Sequence, residues 1–344
     1  MTVGFVYDPI YLKHDTGQHV ENAKRLEAII SHLEQTGLKQ QLTFISPRPA
    51  STEELSLVHD KGYISHIQDV AQGGGGWLDA DTVMSPNSYE AALYAAGGLI
   101  RATEAVMNGE VDSAFALVRP PGHHATSQRA MGFCLFNNVA IATKYALAKY
   151  KLERIAIIDF DVHHGNGTQA TFYDNPHVLY ISTHQYPFYP GTGSIEQTGT
   201  GAGKGTTINI PLPAGCGDAE YLQSFEQIIM PAVKRFKPQL ILVSAGYDSH
   251  WDDGLALMQV SVTGFARIIK IIRGLAEELC STRLVFTLEG GYNLTALAVS
   301  VKATFDVLLG NATIEDPLGQ SQPGFEPPTI APLIKAIKEI HSLP

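Results

Sequence analysis

Short apolar runs rich in β-forming residues constrain the fold of this chain more than any other feature. Most of them are continuously hydrophobic, whereas a strand with one face in water would alternate between apolar and polar residues. The six runs are VGFVYD, SAFALVRP, RIAIIDFD, HVLYIST, QLILVSAGYD and RLVFTLEGG. We therefore predict the strands of a mainly parallel sheet that is covered on both faces.

Helical patterns lie between these runs. The segment ENAKRLEAIISHLEQTG has apolar residues at helical spacing and ends at Gly37. The segment SPNSYEAALYAAGGLIRATEAVMNG predicts a helix with Ser85 as N-cap, Pro86 at its first position and Gly109 as its stop. Two more helices are predicted in YLQSFEQIIMPAVKRF and SVTGFARIIKIIRGLAEEL. This alternation predicts an α/β fold with helices flanking the sheet. The sequence has no internal repeats or charged linkers, so we predict a single domain that spans residues 1–344.

Composition and charge exclude several classes of protein. Hydrophobic residues make up 44% of the chain and charged residues 17%, which is typical of a globular protein with a sizeable core. The formal charge of −10 disfavours nucleic acid and anionic membranes as partners, since both bind basic patches. Three widely spaced cysteines fit a reducing compartment, and the N-terminal residues have no signal-peptide pattern. We therefore expect a cytoplasmic protein.

Four of the apolar runs are followed by side chains that can ligate metals or transfer protons. The four segments are RPPGHHA, DFDVHHGNG, AGYDSH and LEGGYN. In an open α/β sheet, ligands bind at the carboxyl ends of the strands. The side chains expected to meet there are His123, His124, Asp161, His163, Asp248 and Tyr292. Each alone would be an ordinary turn, cap or core residue, but together they predict a functional site.

The segment DFDVHHGNG has the spacing of a metal site. If it stays extended, Asp159, Asp161 and His163 point to the same side, because side chains alternate along a strand. Asp248 would complete a set of two aspartates and one histidine, and three ligands with an open position are typical of a catalytic site. Oxygen and nitrogen ligands favour zinc, with iron(II) or cobalt as alternatives. The groups left to supply a base and its orienting partners are His123, His124, Asp159 and Asn166.

Taken together, these motifs resemble those of the histone deacetylase family, which includes acetylpolyamine amidohydrolases and bacterial deacetylase-like amidohydrolases. The resemblance rests on RPPGHHA…GFCLFNN, DFDVHHGNGTQ, GYDSHWDDGLA and LEGGYN, which follow in order across most of the chain. Their details are most similar to the class II branch. The resemblance implies a single arginase-like α/β domain that hydrolyses acyl amides with a metal-activated water.

The resemblance also implies roles for the motif residues. The residues matching the zinc ligands are Asp161, His163 and Asp248. The tandem histidines beside the catalytic water, and the residues behind them, correspond to His123 with Asp159 and His124 with Asn166. Because asparagine carries no charge, the two histidines should differ in basicity, with His124 as the base. Tyr292 matches the tyrosine that donates a hydrogen bond to the acyl carbonyl.

Other positions match family features around the catalytic centre. Phe133 matches one wall of the acyl-lysine tunnel, with Gly132 beside it, and spacing from the third ligand puts Leu255 at the gatekeeper position. Arg25 matches an arginine under the active site that borders an exit channel for acetate. A structural potassium site, formed partly by backbone oxygens, is implied at Asp159, Asp161, His163 and Ser182.

The sequence leaves two classes of substrate open. Acetyl-lysine in proteins is the first expectation, and acetylated polyamines are the alternative. Polyamine-selective members have an acidic gatekeeper where this chain has Leu255, but Asp252 and Asp253 are near enough to attract a cation. A non-catalytic acyl-lysine-binding module and an arginase-type dinuclear hydrolase fit less well, since the ligand set and tandem histidines suit deacylation. The acyl-chain preference, the native metal and the oligomeric state stay open.

Overall fold

Parallel strands form the centre of the molecule, whose computed structural model describes residues 1–322, 324 and 326–344. The strands are β1 (Val3–Val6), β2 (Thr43–Ile45), β3 (Gly76–Trp77), β4 (Val83–Met84), β5 (Ser113–Ala116), β6 (Ile155–Asp159), β7 (Val178–Gln185), β8 (Thr207–Leu212), β9 (Leu240–Ala245) and β10 (Leu284–Leu288). Eight of them form one sheet in the order β2-β1-β5-β10-β9-β6-β7-β8, and all neighbours pair in parallel. Strands β3 and β4 form a separate antiparallel pair.

The strands at the centre of the sheet are buried on both faces. Every residue of β5, β6, β9 and β10 is buried. Burying one aliphatic side chain contributes roughly 1.5–3 kcal/mol, so continuous apolar strands of this kind are stable only beneath covering helices. The predicted α/β fold, a single domain with a parallel sheet flanked by helices, is confirmed.

Eleven α-helices of the described residues surround this sheet. They are α1 (Lys24–Gln35), α2 (Thr52–Leu55), α3 (Lys61–Gln72), α4 (Ser88–Met107), α5 (Asn138–Tyr150), α6 (Asn166–Phe172), α7 (Asp218–Ser224), α8 (Met230–Phe236), α9 (Val262–Leu279), α10 (Leu294–Leu309) and α11 (Ala331–His341). Within the part of the chain that the structure describes, none of the helices is long and apolar enough to cross a membrane.

Two predicted helices differ in detail from the structure. Helix α4 begins at Ser88 rather than at Pro86, because the N–H of Ser88 closes a turn onto the carbonyl of Ser85 (3.0 Å). Its predicted stop at Gly109 is confirmed by a φ of +73°, which glycine adopts without steric cost. The segment YLQSFEQIIMPAVKRF is divided into α7 and α8 by a π-helical turn, Phe225–Ile229. Pro231, two residues after this turn, has no N–H to continue a regular α-helical ladder.

The sheet order explains why the polar segments meet. Strands β5, β10, β9 and β6 are consecutive neighbours at the centre of the sheet. Each of the four polar segments follows one of these four strands. Since parallel strands have their carboxyl ends at the same edge, the segments converge on one crevice.

Candidate active site

Three buried side chains converge beyond the ends of β6 and β9. Asp161, His163 and Asp248 each offer a ligand atom, and these atoms lie within 4.8 Å of one another. Nδ1 of His163 lies 3.2 Å from Oδ1 of Asp161 and 3.2 Å from Oδ2 of Asp248. These are the three residues that the sequence predicts as metal ligands.

The segment that carries two of them is bent rather than extended. Strand β6 ends at Asp159, whose Oδ1 accepts the backbone N–H of Asp161 (3.2 Å). Oδ1 of Asp161 in turn accepts the N–H of His163 (2.9 Å). Two successive turns of this kind, each closed by an aspartate onto the residue two positions later, replace the strand. The extended path considered for residues 159–163 therefore ends at Asp159, and the carboxylate of Asp159 faces His123, the partner that the resemblance implies.

One oxygen of the cluster favours a bound cation. Oδ1 of Asp248 accepts the N–H of Val162 (3.0 Å), but its buried Oδ2 makes no hydrogen bond within the described residues. Burial and the negative charge of Asp161 raise the pKa of Asp248. A buried carboxylate oxygen that makes no hydrogen bond is costly even with Nδ1 of His163 3.2 Å away, and a divalent cation would both satisfy it and offset the repulsion. The donor set of two carboxylates and one imidazole thus fits a metal ion.

The tandem histidines have different partners and different pKa values. Nδ1 of His123 lies 3.1 Å from Oδ2 of Asp159, and Nδ1 of His124 lies 2.8 Å from Oδ1 of Asn166. Burial lowers the pKa of His123, but the charges of Asp159 and Asp161 outweigh burial and raise it to about 10. Burial and the positive charge of His123 hold the pKa of His124 well below its usual range. The pKa values of the two histidines thus shift in opposite directions, which is the kind of difference in basicity that the sequence predicts.

Tyr292 lies on the loop after β10 and is held from two sides. Its backbone N–H donates to Oδ2 of Asp253 (2.6 Å), and Arg25 donates from Nε to the carbonyl of the preceding residue, Gly291 (2.7 Å). The guanidinium carbon of Arg25 lies 5.0 Å from the centre of the Tyr292 ring. Burial raises the pKa of the Tyr292 phenol well above its usual range. The hydroxyl group thus keeps its proton and can act as a hydrogen-bond donor.

A narrow pocket of about 200 Å³ leads to the cluster. Its lining residues are Asp81, Pro121, His123, His124, Gly132, Phe133, His163, Phe188, Tyr189, Leu255, Gly290 and Tyr292. Phe133 has a φ of +68°, which is rare for a bulky residue, and its N–H donates to Oγ1 of Thr82 (3.1 Å). Phe188 stacks on the His163 ring, with the two ring centres 5.4 Å apart. The structure thus brings the predicted tunnel residues Gly132, Phe133 and Leu255 to the wall of this pocket.

Comparison with known proteins agrees with this geometry. The sequence model described as "Histone deacetylase domain" matches residues 19–308. A probable deacetylase of Archaeoglobus fulgidus is 44% identical over 297 residues, which cover 86% of this chain and 82% of that protein. The chain belongs to the histone deacetylase family. A histone deacetylase-like amidohydrolase of Pseudomonas aeruginosa is 41% identical over 302 residues, covering 87% of this chain and 80% of the relative.

A solved structure supports the same assignment at the level of the fold. The HDA15 HD domain superposes with a TM-score of 0.90 at 34% identity, covering 99% of this chain and 94% of that one. Membership of the histone deacetylase family makes this chain a hydrolytic, metal-dependent enzyme. The alternative of a non-catalytic binding module is therefore not supported.

Sequence reasoning missed several residues of this histone deacetylase site. Phe188 and Tyr189 form a pocket wall, and Asp81 lies at the same pocket. Glu289 was part of the LEGGYN motif, but no role was predicted for it, although it contacts the tandem-histidine segment. An aromatic and proline-rich stretch, QYPFYPG, directly after β7 was the available signal for the wall.

The residues of two further predicted features, the potassium site and the exit channel, lie beside the metal cluster. Ser182 on β7 pairs directly opposite Asp159 on β6, so part of the predicted potassium set is adjacent. Arg25 is fully buried and donates to Oε1 of Glu21 (3.1 Å) as well as to the tyrosine loop. The potassium site and the exit channel stay predictions.

Proposed function

We propose that this enzyme hydrolyses acetyl amides, with N-ε-acetyl-lysine in proteins as its first substrate. Zinc is the proposed ion, held by Asp161, His163 and Asp248, with iron(II) or cobalt as alternatives. The supporting observation is the convergence of this cluster, a neutral histidine and a protonated tyrosine on one narrow pocket. These are the groups that hydrolysis of an amide by activated water requires.

The proposed mechanism assigns one task to each side chain. When bound, zinc would polarise the amide carbonyl and lower the pKa of the attacking water. His124 donates its Nδ1–H to Asn166, so its Nε2 can accept the water proton and later protonate the leaving amine. His123, charged beside Asp159, adds electrostatic stabilisation. The hydroxyl group of Tyr292 donates a hydrogen bond to the developing oxyanion, and the products are acetate and a free amine.

The pocket wall supports acetyl-lysine over acetylated polyamines. Phe133 and Phe188 line the pocket and suit the apolar methylene stem that both substrates share. Leu255 at the same wall cannot pair with the positive charge on the free amine of an acetylated polyamine. One observation favours polyamines, which we keep as the alternative: the carboxylate of Asp81 also lines the pocket.

The proposal extends to the setting of the enzyme. We propose that residues 1–344 form one catalytic domain and that a potassium ion binds near Asp159, Asp161, His163 and Ser182. The cysteines Cys134, Cys216 and Cys280 are buried and form no disulfide, which supports a reducing compartment such as the cytoplasm. Nucleic acid and membranes are not among the proposed partners.

Acetate release tests this proposal directly. The zinc-loaded enzyme is given an acetyl-lysine peptide, acetylputrescine and acetylspermidine, and kcat/KM is measured for each. Tyr292→Phe should lower kcat on the preferred substrate by about 10²–10³-fold, since one oxyanion donor is lost. Its ring contacts with Phe133 and Arg25 are retained, so the variant should fold normally.

A matched control removes another hydroxyl group from the same pocket. Tyr189→Phe should keep kcat within about threefold of the wild type, because no oxyanion role is assigned to that residue. Faster turnover of the polyamines would favour the alternative substrate. Absence of acetate release from all three substrates by the zinc-bound wild type would contradict the proposal.

A further inference from the structure

A buried carboxyl group lies beneath the tandem histidines. Glu289, the first residue after β10, is fully buried. Its Oε2 accepts hydrogen bonds from the backbone N–H groups of Gly122 (2.7 Å) and His123 (3.2 Å). Its Oε1 accepts the hydroxyl of Ser244 on β9 (3.0 Å). This one side chain thus links three neighbouring strand ends of the sheet.

The segment that Glu289 holds is also held on either side. Asn138 donates to the carbonyl of Pro120 (3.1 Å), and Asn137 donates to that of Ala125 (3.2 Å). Glu289 binds the N–H groups between these two anchors, directly before His124. The backbone from which both histidines project is therefore fixed along its length by side chains of other segments.

The residue after Glu289 connects the same strand end to the metal cluster. The backbone N–H of Gly290 donates to Oδ2 of Asp161 (2.7 Å). Two consecutive residues therefore contact the two halves of the site: the Glu289 side chain holds the histidines, and the Gly290 backbone holds a ligand of the cluster. Their relative placement is fixed by one peptide unit.

We propose that Glu289 is a positioning residue of the deacetylase reaction, whose carboxyl group fixes the tandem histidines relative to the metal cluster. This inference rests on the proposed function of the site. The length of the Glu289 side chain matters because it sets where the backbone of the two histidines lies. General base catalysis requires the base within hydrogen-bond reach of the attacking water. A misplacement of 1 Å in such a site can cost about 10²-fold in rate.

Two substitutions of Glu289 separate the effect of its side-chain length from the effect of its charge. Glu289→Gln keeps the length of the side chain and an oxygen that can accept the two N–H groups, but removes the charge. Glu289→Asp keeps the charge but withdraws the carboxylate by one methylene. Burial raises the pKa of Glu289 to about 7, so a neutral side chain is an acceptable replacement there.

Steady-state kinetics on the acetyl-lysine peptide should separate the two variants. Glu289→Asp should lower kcat by about 10- to 100-fold with KM within about threefold, because the base is displaced while the pocket wall is intact. Glu289→Gln should stay within about fivefold of the wild type in kcat, and Ser244→Ala, which spares the histidine segment, within about threefold. Zinc content per chain should be equal in all four proteins.

Each other outcome contradicts the inference. An active Asp variant with an impaired Gln variant would mean that charge matters rather than reach. Wild-type kinetics in both variants would mean that the contact is dispensable. Loss of the folded state in both, seen by circular dichroism and Tm, would make Glu289 a residue of the fold alone. A wild-type enzyme inactive on all three substrates would overturn the proposed function itself, and this inference with it.

Discussion

Burial and neighbouring groups decide which histidines of this chain can carry a positive charge. His123 faces a carboxylate and stays charged, whereas burial lowers the pKa of His59 to about 4. Nδ1 of His59 donates to the carbonyl of Thr126 (2.9 Å), and its Nε2 accepts the backbone N–H of Asn137 (2.9 Å). The neutral ring thus satisfies both neighbours. A second proton on the ring would remove the acceptor that Asn137 needs.

We expect His59 to make the fold sensitive to acid. The pKa of His59 is near 4 in the folded state and about 6.5 when unfolded, so between these values the unfolded chain binds the extra proton. Stability is therefore lost as the pH falls through this window, by up to about 1.4 kcal/mol per pH unit from this residue. His59→Gln, which keeps a donor and an acceptor, should give a shallower slope.

Urea unfolding at several pH values from about 7 down to about 4.5 measures this slope in both proteins. Other buried histidines contribute equally to both, so the difference between the two slopes reports His59. Parallel slopes would contradict the assignment.

At the level of elements, burial on both faces made the central strands predictable. The six apolar runs correspond to β1, β5, β6, β7, β9 and β10. Strand β2 was missed because it has three residues, two of them exposed, at the edge of the sheet. An edge strand of this length has neither hydrophobic continuity nor clear alternation. Its position depends on pairing with β1, which local sequence does not encode.

The same distinction applies to the candidate site. Asp161, His163 and Asp248 were predictable because metal-ligating side chains directly after buried strands are unusual. Phe188 and Glu289 were not, since their importance comes from contacts with segments distant in sequence. The chain does not stay extended after Asp159, because turns closed by aspartate side chains compete with the strand. The sequence thus indicated which residue types form the site, but not how the side chains are placed relative to one another.

At the end of β9, the backbone of Gly246 lies close to the carboxylate of Asp161. A Cβ atom on Gly246 would overlap the carboxylate of Asp161, so alanine there must displace a ligand of the cluster. Gly246→Ala should weaken zinc binding by at least about tenfold, which corresponds to about 1.4 kcal/mol. Competition with a chromogenic chelator measures the affinity. Gly62→Ala is the control, because its Cβ would have no neighbour within 4 Å and the residue is exposed on α3.

An unchanged zinc affinity in Gly246→Ala would mean that the ion binds away from Asp161. The control should bind zinc like the wild type, and alanine in the exposed helix should stabilise the fold by up to about 1 kcal/mol. A matching loss of affinity in both variants would indicate a general effect of substitution rather than the predicted collision.

At the scale of the whole molecule, the metal cluster lies at the ends of the most buried strands of the sheet. Asp161 and Asp248 follow neighbouring central strands, β6 and β9, and both are buried. Burial raises the pKa of Asp248, and the repulsion between two carboxylates held this close raises it as well. Folding therefore brings together charges that a cation would stabilise, so metal binding and folding should be coupled.

Zinc should raise the melting temperature of the chelator-treated enzyme. An ion that binds only the folded state adds about 2.7 kcal/mol at one hundred times its Kd, which should raise Tm by roughly 5 °C in a chain of this size. Asp248→Asn should shrink this shift, because it removes one ligand charge. It should also leave the stability of the metal-free protein nearly unchanged, since relief of the repulsion with Asp161 offsets the lost contact with His163, and the acceptor for Val162 is kept. Scanning calorimetry with and without zinc measures both effects. An equal zinc-induced shift in the variant would mean that the stabilising ion binds elsewhere on the chain.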